Sequence, residues 1–426
     1  MAIKSTTDQF NETMLAHSIN MERVKAGQEK EVKKLLTDLS LDVQSQLAKL
    51  GTDNTKKSVK RDRLKKVNAQ IDQYFIDYYG DIETYMEQQD VQTARLERDV
   101  FVNAMNSAMG IDIASPVMDN NKIRRLAKAV KIDAQPAKKW WGKQSTQRKK
   151  SVKEVIRQGV GQGKTIDEMT KELRQKGGWE DKTKQQAEAI IRTETQQVLQ
   201  DSRMEMYKGN QELIEAVYHS ATLDRRTTII CVSRDGLQWT VPEFKPIGHG
   251  KAFIQPPLHF QCRSTIMTVL KTYDELLGGK KPVFSEKKFE EGFRSRIKPR
   301  PGESDIEYNE RVARQVAIQK KRMNRTPENT TKDMAKFVKA DRGRAESMLG
   351  KARTALFYEG KLTLQQLIDQ KGRPLTVQQL EKNYDLSKGE NKINKQGGKV
   401  LKVDMADPKN PNWNSYYKTL EVGDKS

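Results

Sequence analysis

Arg192-Thr193-Glu194 opens the stretch that decides the fold. It continues through Asp224-Arg225-Arg226-Thr227, Cys231 and Asp235-Gly236, and closes on Pro256-Pro257-Leu258-His259-Phe260-Gln261-Cys262-Arg263. Its first part lies on a helical run from about Lys184 to Lys208, stopped by Gly209. At about 100° per residue, Ile191, Thr195, Val198 and Ser202 form one inward stripe. Arg192 and Glu194 flank that stripe, where long charged side chains lay their stems on a core and reach to loops. Loop groups such as Asp224 or Arg263 are their expected partners. Over 216–270 the pattern changes: β-branched and aromatic residues alternate, with turns at Asp235-Gly236 and Pro256-Pro257. That part reads as sheet. The stretch therefore predicts a small α+β core over 151–275.

Outward from this core, helical periods dominate. Val32, Leu36, Leu39, Val43, Leu47 and Leu50 step by threes and fours. A second run, Leu64 to Met109, carries Tyr74, Phe75, Tyr78, Tyr79 and Tyr85, read as helix packing because base-stacking platforms usually sit on sheets. Gly110 and Ser115-Pro116 end an N-terminal helical region, 1–115, expected to make the assembly contacts. Residues 116–150 read as a basic linker. Val152, Val155, Ile156 and Val160 mark a helix face that Gly161 and Gly163 break, and Thr165 with Glu168 starts a short helix ended by Gly177-Gly178. Residues 276–382 read as a helical C-terminal region, and 383–426 as a loosely ordered tail rich in Gly, Lys and Asn. The fold class expected is mainly α with a small α+β core, long N-terminal helices and a helical C-terminal region.

Of the 426 residues, 35% are hydrophobic and 32% charged, and the mean hydropathy is −0.84. No apolar run is long enough to span a bilayer, and the N-terminus lacks the apolar stretch of a signal peptide, so no membrane partner is expected. Two cysteines exclude a disulfide framework and suit a reducing cytoplasm. The net charge of +21 predicts attraction to a polyanion. Between Lys122 and Arg157, thirteen Lys and Arg face only Asp133 and Glu154, a local excess of eleven. The expected nucleic-acid contacts are Lys122, Arg124, Arg125, Lys128, Lys138, Lys139, Lys143, Arg148, Lys149 and Lys150. Trp140-Trp141 lies among them and suits either a nucleic acid or docking on a neighbouring helix.

Three chemistries compete with a purely structural role. Glu194 as general base with Arg192 on an anionic substrate lacks a nucleophile or phosphate loop beside it, so the structural reading is preferred. Gly159-x-Gly161-x-Gly163-Lys164-Thr165 does not meet phosphate-loop spacing. Cys231, His259 and Cys262 offer three zinc ligands, with His219 or His249 as a fourth, yet no Cys-x-x-Cys pair occurs. The preferred reading makes the cysteines small buried neighbours holding two loops together, with no cofactor. A nuclease or other DNA-processing enzyme using His219 and His259 is the alternative function. No histidine follows His259 and no cysteine follows Cys262, so the sequence offers no second such group further on.

The order and spacing of these pieces resemble the core domain of the phage head morphogenesis family, the minor head proteins similar to protein F of phage Mu. Gly163-Lys164-Thr165-Ile166-Asp167-Glu168-Met169-Thr170-Lys171-Glu172-Leu173 looks like the family's lead-in. Leu349-Gly350-Lys351-Ala352-Arg353, Tyr358-Glu359-Gly360-Lys361-Leu362 and Lys371-Gly372-Arg373-Pro374-Leu375-Thr376 resemble its closing segment, so the likeness covers about 150–382. It marks Arg192, Thr193, Glu194, Asp224, Arg226, Asp235, Gly236, Pro257, His259, Cys262 and Arg263 as structural motif positions. Relatives carry Cys-x-x-Cys and Cys-Arg-Cys where this chain has Thr228 with Cys231 and Cys262 with Ser264, which implies a four-sulfur metal site given up as a unit. The resemblance further implies a non-enzymatic minor capsid protein that associates with the portal protein and other capsid or scaffold components during procapsid assembly. It would be made in the host cytoplasm and packaged in low copy number inside the head near the portal vertex, touching double-stranded DNA without sequence preference.

Overall fold

The computed structural model describes residues 4–50, 57–175, 179–327, 334–385 and 390–391. The tail expected over 383–426 and the Gly177-Gly178 stop lie almost wholly outside the described residues.

Two long helices frame the molecule. Helix α1 (Thr6–Ala48) starts on a capping box, in which Ser5 Oγ accepts from the Asp8 amide and Asp8 reaches back. Its buried stripe begins well before Val32, at Phe10, Met14, His17 and Met21, and runs on to Leu47. Helix α2 (Lys57–Met109) returns antiparallel beside it, as the paired positions show. Gln46 bonds Tyr74 and Tyr78 bonds Asp42 at one end, while Phe10 meets Phe101 edge-to-face at the other. Phe75 and Tyr79 of the expected aromatic cluster are buried, and Phe75 also packs on Trp179.

The basic stretch 116–150, expected as a linker, is ordered secondary structure. It forms α3 (Asn120–Lys128), a two-residue hairpin of β1 (Lys131–Ile132) and β2 (Gln135–Pro136), and the first half of α4 (Ala137–Gln162). Asp133 and Ala134 make the hairpin turn with φ of 48° and 58°, the left-handed pair that a two-residue hairpin requires. Helix α4 ends at Gly163, whose φ is 71°, so Gly161 does not break it. Val152 and Ile156 are buried as the period predicts, whereas Val160 is exposed. Helix α5 (Ile166–Arg174) starts on the Thr165–Glu168 capping box.

Helix α6 (Trp179–Gly209) runs through the middle of the bundle, buried on most of its circumference. The sheet is smaller than the pattern over 216–270 suggests. It has four antiparallel strands in the order β5-β4-β3-β6: β3 is Ile214–Ser220, β4 Gln238–Thr240, β5 Pro246–Ile247 and β6 Thr265–Leu270. A one-turn helix, α7 (Ile229–Val232), and irregular loops fill the rest.

Strand β6 lies at an edge of that sheet, yet its outer backbone groups are satisfied. Thr268 O accepts from Asn11 Nδ2 at 2.8 Å and the Leu270 amide donates to Thr7 Oγ1 at 3.0 Å. Helix α6 adds Gln200, which accepts from the Ile266 amide, and Tyr207, which donates to Ile266 O. Polar side chains of α1 and α6 thus stand in for a missing strand. They also explain why Gln200 and Asn11 are buried, and Gln196 donates to Ser264 O just before the strand.

Beyond the sheet come α8 (Tyr273–Gly278), α9 (Glu286–Ser295) and α10 (Asp305–Met323), which close on the first core cluster through Phe289, Val312 and Val316. The short helices α11 (Met334–Lys339), α12 (Arg342–Leu349), α13 (Lys351–Tyr358) and α14 (Val377–Asn383) form a second cluster. That cluster includes Ala221, Cys231, Val232 and Cys262 from the sheet's loops. The protein is therefore mainly helical with a small α+β core.

Candidate functional site

Arg192, Thr193 and Glu194 point in three directions. Arg192 Nε lies 2.7 Å from Glu29 and its Nη1 3.1 Å from Glu22, both on α1. Thr193 Oγ1 accepts from the Gln261 amide at 2.9 Å and so holds the loop between Pro256 and Cys262. Glu194 accepts from Trp141 Nε1 at 3.0 Å. The partners expected for Arg192 and Glu194 were Asp224 and Arg263, and the structure corrects this. Those two bond each other through a two-pronged fork, with one bond of 2.7 Å, because α1 and α4 cover the helix flanks that the period leaves open to loops. Thr193 is the tie that periodicity passes over, since a β-branched residue inside a helix reads as ordinary packing.

Glu194 is 4% exposed and Asp90 of α2 1% exposed. They share a hydrogen bond in which burial pushes Glu194 up to about 7. Burial raises Asp90 as well, and the neighbouring Glu194 charge raises it further. Asp90 therefore keeps its proton and donates it into the pair. Trp141 is buried above them, while Trp140 donates to Ile132 O at 2.8 Å and meets Phe260 edge-to-face at 5.1 Å. Lys143 stands 4.6 Å from the centre of the Trp140 ring.

Asp224 organises the loop after β3. Besides the Arg263 fork it accepts from the Arg226 amide at 2.9 Å, and the side chains of Arg225 and Arg226 stay largely exposed. The Arg263 guanidinium holds the Asp224 carboxyl down at about 2. Asp235 accepts from the Ala221 amide at 2.7 Å. Gly236, at φ 77°, takes the left-handed turn that lets its amide reach His219 O. Pro257 follows a cis peptide bond with Pro256.

Cys231, His259 and Cys262 converge although 28 residues separate the first two. Their donor atoms all lie within 4.8 Å of one another, with Cys231 Sγ 3.3 Å from His259 Nε2 and 3.6 Å from Cys262 Sγ. Neither expected fourth ligand joins them. His249 Nε2 bonds Gln238 O at 2.8 Å beside Trp239. His219 is fully buried, and burial lowers it to about 4. The His219 imidazole is therefore neutral and sealed from solvent, while His259 sits with the cysteines.

The basic residues spread over α3, the hairpin and α4. Lys122 pairs with Glu205, Lys128 with Glu87, Lys138 with Glu83 and Lys149 with Asp72. Arg148 donates to Gln186 and Lys139 to Gln135. Arg124, Arg125, Lys143 and Lys150 are exposed. Among the described residues, no helix is long and apolar enough to cross a membrane.

A long buried helix whose neighbouring residues tie a second helix, a loop and a third helix to one small antiparallel sheet defines a compact helix-on-sheet module. Within it, residues 150–267 match the family model of Phage Mu protein F like proteins. No curated protein matches the chain, and no solved structure does.

Proposed function

We propose that this chain is a non-enzymatic phage minor head protein. In this reading it associates with the portal protein during procapsid assembly, is packaged in low copy number inside the head near the portal vertex, and touches DNA without sequence preference. The observation that carries the reading is the family match over 150–267, which falls on the stretch where the motif residues are used as ties. Arg192, Thr193, Glu194, Asp224 and Arg263 each direct polar atoms to other elements of the fold, and although Glu194 with Asp90 and Trp141 also borders a cavity of about 520 Å³, its carboxylate is held there by Trp141 Nε1. The charge of +21 supports DNA contact through counterion release. Exposed ion pairs such as Lys138 with Glu83 contribute little in water, so a phosphate can take over such a lysine.

The test is quantitative mass spectrometry of purified particles against the portal protein, before and after genome release. Presence below the portal's copy number in full particles supports the reading. A chain confined to infected-cell lysate and missing from particles sinks it.

A further inference from the structure

We propose that Cys231, His259 and Cys262 bind one zinc ion, with water in the fourth position. The ion would fasten the two core loops beneath the C-terminal helices, in place of the metal-free packing expected from the sequence. The separations are those of a tetrahedral site. With Zn–S near 2.3 Å and Zn–N near 2.0–2.1 Å, the edges of a tetrahedron are about 3.8 Å for S–S and about 3.6 Å for S–N. The structure has 3.6 Å and 3.3 Å, so a few tenths of an ångström of relaxation would admit the ion.

Three further features aim the donors inward. His259 Nδ1 lies 2.8 Å from Phe260 O, a bond that only an Nδ1–H can make, which leaves the Nε2 lone pair facing Cys231 Sγ at 3.3 Å and the Thr228 hydroxyl at 3.0 Å, a bond the ion would displace. A backbone carbonyl fixing the far nitrogen is the usual way a ligating histidine is held. Between His259 and Cys262, Gln261 takes φ 58° and the Cys262 amide returns to His259 O, so the turn brings both side chains to one side. Thr193 clamps that same turn through the Gln261 amide. Beside the three donors lies a cavity of about 20 Å³ lined by Thr228, Arg226, Gln261 and Ser264, room for a single water.

Two thiolates and an imidazole are soft and borderline ligands, which select zinc over magnesium or calcium. Cys231 and Cys262 are 2% and 1% exposed, within the cluster that joins the sheet's loops to α11–α14. An ion there links segments far apart in the chain through three protein ligands and keeps its fourth position for water.

The experiment uses the full chain, untagged, purified without chelator from cells supplied with zinc. Metal content is read by plasma mass spectrometry, and cobalt is substituted to look for thiolate-to-metal absorption. About one zinc per chain is expected, falling to below about a tenth in Cys231→Ser and Cys262→Ser. His259→Asn should hold the ion more weakly against a chromogenic chelator. Should a cysteine variant fail to fold, wild-type protein stripped of metal and titrated with zinc should regain one equivalent and melt at higher temperature. Folded wild type that carries no zinc and takes up no cobalt overturns the proposal, as does full zinc content in folded Cys262→Ser.

Discussion

Trp141 Nε1 and Glu194 Oε2 lie 3.0 Å apart in the interior. The second tryptophan of a lysine-flanked pair and the acidic member of Arg192-Thr193-Glu194 thus meet at one buried point. Each has two readings in isolation, and together they describe a helix-to-helix tie that carries a proton-sharing carboxyl pair.

That pair makes stability depend on pH with a definite sign. Glu194 is raised to about 7 by burial, so its contribution is fully present below its unfolded value and is lost as pH rises through about 7. The urea midpoint should fall between about pH 5 and about pH 8, and Glu194→Gln should flatten that fall. A midpoint that rises over the same range contradicts the shared proton.

Arg203 and Glu97 form a buried ion pair, both side chains 0% exposed, with Nε to Oε1 at 2.6 Å and His17 2.9 Å from the same carboxylate. Glu97→Gln leaves the guanidinium without its counter-charge. A loss of about 3–5 kcal/mol is expected, read by equilibrium denaturation. A change below about 1 kcal/mol would mean that water reaches Arg203.

The Asp224–Arg263 fork should not tolerate lysine. Arg263→Lys keeps the charge but not the two parallel bonds. We expect about 1–2 kcal/mol of destabilisation and faster amide exchange in the loop 222–228. Unchanged exchange there would show that the loop's other bonds, such as Thr227 Oγ1 to Thr222 O and Thr222 Oγ1 to Arg263 O, suffice to hold it.

DNA binding, if it uses the α3–α4 surface, has a countable signature. Removing Arg124, Arg125, Lys143 and Lys150 together by alanine substitution should flatten the slope of log affinity against log salt by about 0.9 for each phosphate no longer neutralised. Fluorescence anisotropy on duplexes of unrelated sequence reads this. An unchanged slope moves the DNA-binding surface elsewhere on the chain.

Periodicity makes the long helices legible, and the Thr165–Glu168 box is readable because both partners are local. The basic stretch reads as a linker because its hairpin turns on Asp133-Ala134 and lacks the glycine that normally announces a two-residue turn. The buried stripe of α1 extends further than the apolar period suggests, since its first turns bury Thr7, Asn11 and His17, which hydropathy counts as exposed. Thr193 and Gln200 act through partners 68 and 65 residues away, a distance no local pattern encodes. The meeting of Cys231 with His259 is of the same kind: the residue types are visible in the sequence, their convergence is not.

Strand β6 runs past the family match, which ends at residue 267, and there side chains of α1, Thr7 and Asn11, complete it. The span that evolution reuses and the unit that can stand alone in water are therefore different objects. A segment cut to contain the whole of β6 but not α1 would leave Thr268 O and the Leu270 amide bare, an edge open to another strand. The opening helix works as a built-in chaperone for its own sheet.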